Sequence, residues 1–254
     1  MLINRYMTSL DPFFLSKFLL ILISSVGAWL IVLIYLQSKK EKLKLYFMLI
    51  ILFLILRYAL GYFASISLET NKVIFLLRLS TATSILFLLS AYYFYILYFL
   101  KEKGKNINLE KIISFLCLFF FAVSGFTDGV IKDAVIKSWG PEIVLGGISP
   151  LLSLFTLLMS FFIIYSLIKS YFHFSKIKRS QVFYFLIGFL IFGLFELIFV
   201  VIIPAFLGTV KYAFLGSYSI VFFFIFTAYA IIKKGLFDVK IIFTTLLVAL
   251  ITVL

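Results

Sequence analysis

The stretch from residue 15 to residue 44, LSKFLLILISSVGAWLIVLIYLQSKKEKLK, joins two kinds of sequence that alternate along the whole chain. Residues 15–36 are almost entirely apolar, and a helix of this length, at about 1.5 Å per residue, crosses a hydrocarbon core of about 30 Å. The eight residues that follow, 37–44, contain four lysines. An apolar run of this length followed by a basic cluster is typical of a membrane-spanning helix and its loop.

The composition of the whole chain agrees with that pattern. Of the 254 residues, 65% are hydrophobic and 13% are charged, and the mean hydropathy is +1.23. Soluble domains average about 45–50% apolar and about 25% charged residues. One water-soluble core cannot cover this much apolar surface, so the sequence predicts a polytopic membrane protein.

Seven apolar runs predict an all-α bundle of seven membrane-spanning helices, at residues 15–36, 45–67, 73–100, 112–127, 144–168, 182–207 and 212–232. An eighth run, 241–254, has 14 residues. As a helix it would reach about 21 Å, so we expect either an interfacial helix or the first part of a spanning one. The sequence therefore predicts a seven-helix module over 1–232, an exit segment over 233–240 and a partial eighth apolar helix over 241–254.

The basic residues predict the orientation of the bundle. Fifteen lysines and arginines follow the odd-numbered runs, in the clusters at 39–44, 101–111, 169–179 and 233–240. Basic loops stay in the cytoplasm, so the N-terminus is predicted outside and residues 233–240 inside. Because the charge recurs in short clusters and not in one patch, the net charge of +13 indicates membrane topology and argues against nucleic-acid binding.

One predicted outer loop, residues 128–143, differs from the others. Its sequence, DGVIKDAVIKSWGPEI, alternates apolar and charged residues, as in Val130 and Lys132 and again in Val135 and Lys137. This alternation allows a small β-hairpin. The alternative is a loop that only links two helices.

Three ionisable residues lie inside predicted spans: Arg57, Arg78 and Glu196. A charge at such depth is costly and normally faces protein or water. Counting residues from the helix ends puts all three in the outer half at similar depth, so we expect Glu196 to pair with Arg57 or Arg78. This polar cluster is either an interhelical clasp without a ligand or part of an outward-facing cavity that senses a small polar ligand. Snorkelling towards the interface is a third alternative for Arg78.

The motifs of the common enzyme classes are missing from the sequence. It contains no GxxxxGK[ST], GxGxxG, HExxH or GxSxG. Cys117 is the single cysteine and His173 the single histidine, which excludes an intrachain disulfide and a zinc cluster. We therefore predict no catalytic residue, no metal site and no cofactor.

Two stretches near the end carry a family resemblance. RSQVFYFLIGFLIFGLFELIFVVIIP (179–204) and LGSYSIVFFFIFTAYAIIKKGLFDVKII (215–242) resemble the end of the N-terminal seven-transmembrane region of bacterial sensor histidine kinases. That family has an RxQ start to its sixth helix and an AYAIxKxxLFDIK-like exit from its seventh. The matching residues here are Arg179, Gln181, Gly188, Pro204, Ala228, Tyr229, Ala230, Ile231, Lys233, Leu236, Phe237, Asp238 and Lys240.

The resemblance implies the input half of a two-component system. It implies a place in the bacterial cytoplasmic membrane, contact with membrane lipid, a small-molecule or membrane-state signal, an output kinase or cytoplasmic signalling domain, and a homodimer. The phosphoacceptor context and the ATP-binding boxes of a kinase do not occur in these residues, so we expect a sensor module and not the enzyme.

The exit segment has features of a coupling elbow. Lys233 and Lys234 suit the inner interface and the C-terminal end of a helix dipole. Gly235 suits a helix end, and Asp238 can cap a following helix. Between them, Leu236 and Phe237 can re-enter the interface. The alternative is a plain turn at the membrane boundary.

Two other functions remain open at this point. A small transporter or permease would use Glu196 as its coupling acid, and it should show two related halves or broken midplane helices. A non-catalytic membrane assembly subunit would need no ligand.

Overall fold

The computed structural model describes residues 12–37, 41–99, 107–137, 140–174, 176–207 and 212–234. The main helices are α1 (Pro12–Gln37), α2 (Glu41–Ile66), α3 (Thr70–Phe99), α4 (Ile107–Phe126), α5 (Ser149–His173), α6 (Lys176–Glu196) and α7 (Ser219–Lys234). Strands β1 (Ile131–Lys137) and β2 (Gly140–Leu145) lie between α4 and α5. A π-helix (Leu197–Ile202), a short α-helical turn (Ile203–Leu207) and a 3-10 helix (Ala213–Tyr218) lie between α6 and α7.

The predicted class, an all-α polytopic membrane protein, is confirmed, but the count of full-length spans is not. In the described part of the chain, six helices, α1 to α6, are long and apolar enough to cross a membrane. The seventh predicted run, 212–232, is divided into the 3-10 helix and the 16 residues of α7. Gly216, Ser217 and Ser219 are weak α-helix formers, which explains why the α-helix starts late.

The predicted hairpin is present between α4 and α5. β1 and β2 pair antiparallel from Ile131 opposite Leu145 to Lys137 opposite Gly140. Gly140 has φ +126°, a conformation that favours glycine. The prediction that the fifth helix begins at residue 144 is wrong, because β2 takes up residues 140–145 and α5 begins at Ser149. Pro150 lies in the first turn of α5, where a missing N–H costs nothing.

Helix α3 lies at the centre of the bundle. It packs against α2, α4, α5 and β1, while α6 packs against α5 and α7, and α7 also reaches α1. Phenylalanine rings fill the space where α2, α3 and α6 meet: Phe94 lies 5.3 Å from Phe47 and 5.3 Å from Phe185, measured between ring centroids. Phe223 of α7 adds a ring 5.7 Å from Phe185. Through this aromatic core α2, α3, α6 and α7 pack against one another.

The two ends of the bundle differ in sequence. The β-hairpin, the α2–α3 connection and the segment between α6 and α7 lie at one end, here called the hairpin end, because successive spanning helices alternate in direction. The basic clusters predicted to be cytoplasmic follow α1, α3 and α5 at the opposite end. α7 runs from the hairpin end back towards that opposite end. The predicted partial eighth helix, 241–254, lies outside the described residues.

Candidate functional site

An ion pair joins α2 to the end of α6. Nη2 of Arg57 donates a hydrogen bond to Oε2 of Glu196 over 2.6 Å. The two side chains are 23% and 18% exposed, and both residues lie within helices long enough to span a membrane. A charge-assisted bond of this length offsets part of the cost of removing both charges from water. Of the two partners predicted for Glu196, the structure pairs it with Arg57.

The chain changes helical geometry directly after Glu196. Residues Leu197–Ile202 form a π-helix, in which the backbone N–H of Ile203 bonds to the carbonyl of Ile198, five residues back. Residue 204 is a proline and has no N–H to donate to the carbonyl of residue 200, so the regular α-helical ladder cannot continue here. π-helical turns are rare and are frequent at functional sites. Pro204 is the sequence feature that accounts for this irregularity.

The 3-10 helix that leads into α7 passes beside the ion pair. A Cβ atom added at Gly216 would lie 3.6 Å from Oε1 of Glu196 and 3.3 Å from Cγ2 of Val200. Gly216 is buried, so its lack of a side chain is what lets this segment approach the carboxylate so closely. No pattern in the sequence singles out Gly216. The pair therefore touches three elements: α2, the α6–π-helix junction and the segment before α7.

The backbone of α2 is tied to two further helices at the level of the pair. Oγ of Ser80 on α3 donates to the carbonyl of Arg57 over 3.0 Å. The hydroxyl of Tyr58 donates to the carbonyl of Ser16 on α1 over 3.1 Å. These two bonds fix the part of α2 that carries Arg57, so the guanidinium approaches Glu196 from a helix that is held in place.

Arg78, the third predicted member of the polar cluster, lies elsewhere. Its Nε donates to the carbonyl of Ile131 in β1 over 2.9 Å, which anchors the hairpin to α3. The predicted cluster of three charges is thus divided into the Arg57–Glu196 pair and a separate contact between Arg78 and the hairpin. Depth counted along each helix could not distinguish the two arginines, because it says nothing about the face on which each lies.

The exit segment is described only at its start. Lys233 and Lys234 are the last two residues of α7. Gly235, Leu236, Phe237 and Asp238 lie outside the described residues, so the predicted elbow stays a prediction.

Metal-ligating side chains do not gather in the described part of the chain: no group of three His, Cys, Asp or Glu residues there could hold an ion. Cys117 is buried in α4. The chemical property of the described site is an ion pair, Arg57–Glu196, that can form and dissociate at a helix junction.

Comparison with known proteins does not assign this chain to a family. No protein-family model matches this sequence, and no curated protein matches it. The resemblance to sensor histidine kinases stays a prediction from the residues of 179–204 and 215–242.

Proposed function

We propose that this chain is the membrane-embedded signal-input module of a two-component system of the histidine-kinase type, in the bacterial cytoplasmic membrane. The observation that carries the proposal is the Arg57–Glu196 pair, because it connects a fixed helix to the segment that leads into α7. The family resemblance of the exit from α7 supplies the second support. The output kinase or cytoplasmic signalling domain, the homodimer and the activating signal belong to the proposal.

The first step of the mechanism is a change at the ion pair. A ligand with its own carboxylate or amine, or a change in the hydration of this membrane level, competes with the Arg57–Glu196 bond. A signal shifts the equilibrium between two conformations only as far as it favours one of them. Because the side chains are 23% and 18% exposed, the pair is accessible to such a competitor.

The second step carries this change into α7. When Glu196 is released from Arg57, the π-helical turn that follows Glu196 is free to move, because its hydrogen-bonding pattern is looser than that of an α-helix. Val200 lies in this turn and beside Gly216, so it moves with the turn. The 3-10 helix that contains Gly216 continues directly into α7 at Ser219. A displacement at the carboxylate is therefore transmitted to the first turn of α7.

The third step takes the displacement across the membrane. α6 and α7 approach closely at Gly188, where an added Cβ would lie 3.1 Å from Cβ of Phe226. Such close packing makes the two helices move as a unit. α7 has 16 residues, or about 24 Å, and ends at Lys234, where the exit segment begins. A tilt or shift of α7 is thus delivered to residues 233–240 at the end of the bundle predicted to be cytoplasmic.

A kinase chimera tests this proposal. A histidine-kinase catalytic region is fused after Ile242, the chimera is reconstituted in vesicles, and autophosphorylation is measured. We expect Glu196→Gln to change the basal signal by about fivefold or more, the effect of about 1 kcal/mol of coupling. Gly193→Ala is the matched control, since a Cβ on Gly193 meets nothing within 4 Å. Unchanged phosphorylation in a correctly inserted Glu196→Gln chimera would contradict the proposal.

One observation favours a second candidate, a small transporter. The irregular helix directly after a membrane carboxylate resembles the interrupted helices that line transport sites. In this alternative Glu196 takes up a proton or a cation, with Arg57 as its resting counter-ion. Proteoliposomes with a pH gradient distinguish the two: proton-coupled uptake lost in Glu196→Gln supports the transporter, whereas a changed kinase signal without transport supports the sensor.

A further inference from the structure

A groove separate from the Arg57–Glu196 pair lies at the hairpin end, between α3 and α4. It has a volume of about 390 Å³ and is lined by Asn71, Ile74, Phe75, Arg78, Gly125 and Phe126. The first four of these residues have the spacing i, i+3, i+4, i+7, so they form one face of α3. Gly125 and Phe126 come from the last turn of α4. The groove therefore runs along α3 and opens beside the end of α4.

Among the residues that the structure describes, no carboxylate neutralises the charge in this groove. Nε of Arg78 donates to the carbonyl of Ile131, and a guanidinium has further N–H donors on its other two nitrogens. In the described part of the chain, no acidic side chain lies within 4.0 Å of Arg78. Glu142 of the hairpin pairs with Lys137 over 3.6 Å, and Oδ1 of Asp133 accepts from the backbone of Ala134. Charged residues inside spanning helices pair with other charges or with backbone carbonyls, and the N–H donors of Arg78 that do not bond to Ile131 are in a position to take an anion.

Apart from Asn71 and Arg78, the walls of the groove are apolar, and two of the wall residues are exposed on the outside of the bundle. Phe75 is 55% exposed and Phe126 is 72% exposed, and both belong to helices long enough to span the membrane. Ile74 lies between Asn71 and Arg78 along the same face. A small soluble anion gains nothing from such walls, whereas the acyl chains of a lipid can pack against them.

The side chain of Arg78 lies within reach of the phosphate level of one leaflet. Arg78 comes eight residues after the first residue of α3, or about 12 Å along the helix. The 30 residues of α3 are about 45 Å long and exceed the hydrocarbon core by about 15 Å, or about 7 Å at each end. The Cα of Arg78 thus lies about 5 Å below the hydrocarbon boundary, from where an arginine side chain reaches the headgroup layer.

We propose that this groove binds one anionic phospholipid at the hydrocarbon boundary, with its phosphate on the guanidinium of Arg78, its headgroup towards Asn71 and its glycerol and first acyl carbons against Ile74, Phe75 and Phe126. Arginine binds phosphate oxygens through paired N–H donors, which gives both charge neutralisation and a defined orientation. The lipid then holds α3, α4 and the hairpin together at this end, since Arg78 also bonds to Ile131. The site does not depend on the sensor proposal.

Lipid titration followed by native mass spectrometry tests this site on the full chain in detergent. Phosphatidylglycerol and phosphatidylcholine with the same acyl chains are titrated, and inorganic phosphate is added as a competitor in a parallel series. We expect phosphatidylglycerol to bind more tightly than phosphatidylcholine, and phosphate not to displace it at equal concentration.

Three variants decide the location of the site. Arg78→Gln removes the charge, and Ile74→Trp fills the groove while leaving the Arg78–Ile131 bond intact. Both should weaken phosphatidylglycerol binding by about fivefold or more, the effect of losing about 1 kcal/mol. Lys72→Gln is the control, because Lys72 is an exposed cation of α3 that does not line the groove.

Three outcomes would overturn the proposal. They are equal binding by wild type and Ile74→Trp, an equal loss in Lys72→Gln, and full displacement of the lipid by phosphate. If Arg78→Gln fails to fold, the binding measured for Ile74→Trp decides between the lipid site and an empty groove.

Discussion

Arg57 and Glu196 are separated by 139 positions in the sequence, and their side chains meet over 2.6 Å inside the bundle. This contact closes α2 against the junction between α6 and the π-helix. Gly216, in the segment before α7, lies directly beside the same carboxylate. The Arg57–Glu196 pair therefore lies beside the segment that leads into α7.

Removal of either charge should destabilise the protein, because the remaining charge is left without its partner at membrane depth. We expect Arg57→Gln and Glu196→Gln each to cost about 1.5–3 kcal/mol, the range for hydrogen bonds to charged groups. Unfolding by SDS titration in mixed micelles measures the change. Lys72→Gln, an exposed cation outside the pair, is the control. If the double variant cost as much as the two single variants added together, the pair would contribute no coupling energy.

A side chain at residue 216 should loosen the ion pair without removing a charge. Gly216→Leu must displace Val200 or Glu196, since even a Cβ would approach them to 3.3 Å and 3.6 Å. Overpacking of this kind costs about 1–3 kcal/mol. Gly193→Leu serves as the control, because a Cβ there meets nothing within 4 Å. Equal stability of the two variants would show that the 3-10 helix does not press against the carboxylate.

The hairpin depends on a glycine at its base. A Cβ on Gly146 would overlap the carbonyl oxygens of Asp128 and Gly129. Gly146 also donates to the carbonyl of Val130 over 2.8 Å. We expect Gly146→Ala to open the hairpin, read as faster hydrogen exchange at the amides of β1 and β2. Gly147→Ala is the matched control, with nothing within 4 Å of its added Cβ. Equal exchange in both variants would contradict the packing seen at residue 146.

The exit segment should couple α7 to the output without being needed for insertion. In the kinase chimera, we expect Gly235→Leu and Asp238→Ala to weaken the response to Glu196→Gln, because the sequence predicts a helix end at Gly235 and a helix cap at Asp238. Membrane insertion, measured by fractionation, should stay at the wild-type level. A loss of insertion would instead favour a plain boundary turn.

The positions of the helices could be predicted because apolar length is a local property of the chain. The runs at 15–36, 45–67 and 73–100 lie within a few residues of α1, α2 and α3. The errors occur where another structure competes with the helix. The apolar residues 144 and 145 belong to β2, and residues 213–218, which include Gly216, form a 3-10 helix in place of the first turns of α7.

The candidate site could be predicted only in part. Charge inside an apolar run singled out Arg57, Arg78 and Glu196, because desolvation makes such residues exceptional. The choice between the two arginines depends on how α2, α3 and α6 are rotated about their axes, which depth does not determine. Gly216 carried no signal of its own, since its role comes from the close approach of Glu196 and Val200.

The most direct test of whether the ion pair controls α7 is to exchange the charges of Arg57 and Glu196 in the reconstituted kinase chimera. Arg57→Glu and Glu196→Arg alone should each change autophosphorylation by about fivefold or more, since about 1 kcal/mol of coupling is lost. The double variant, which restores an ion pair in the opposite sense, should return the signal towards the wild-type level. Wild-type phosphorylation in all three correctly inserted variants would contradict this role for the pair.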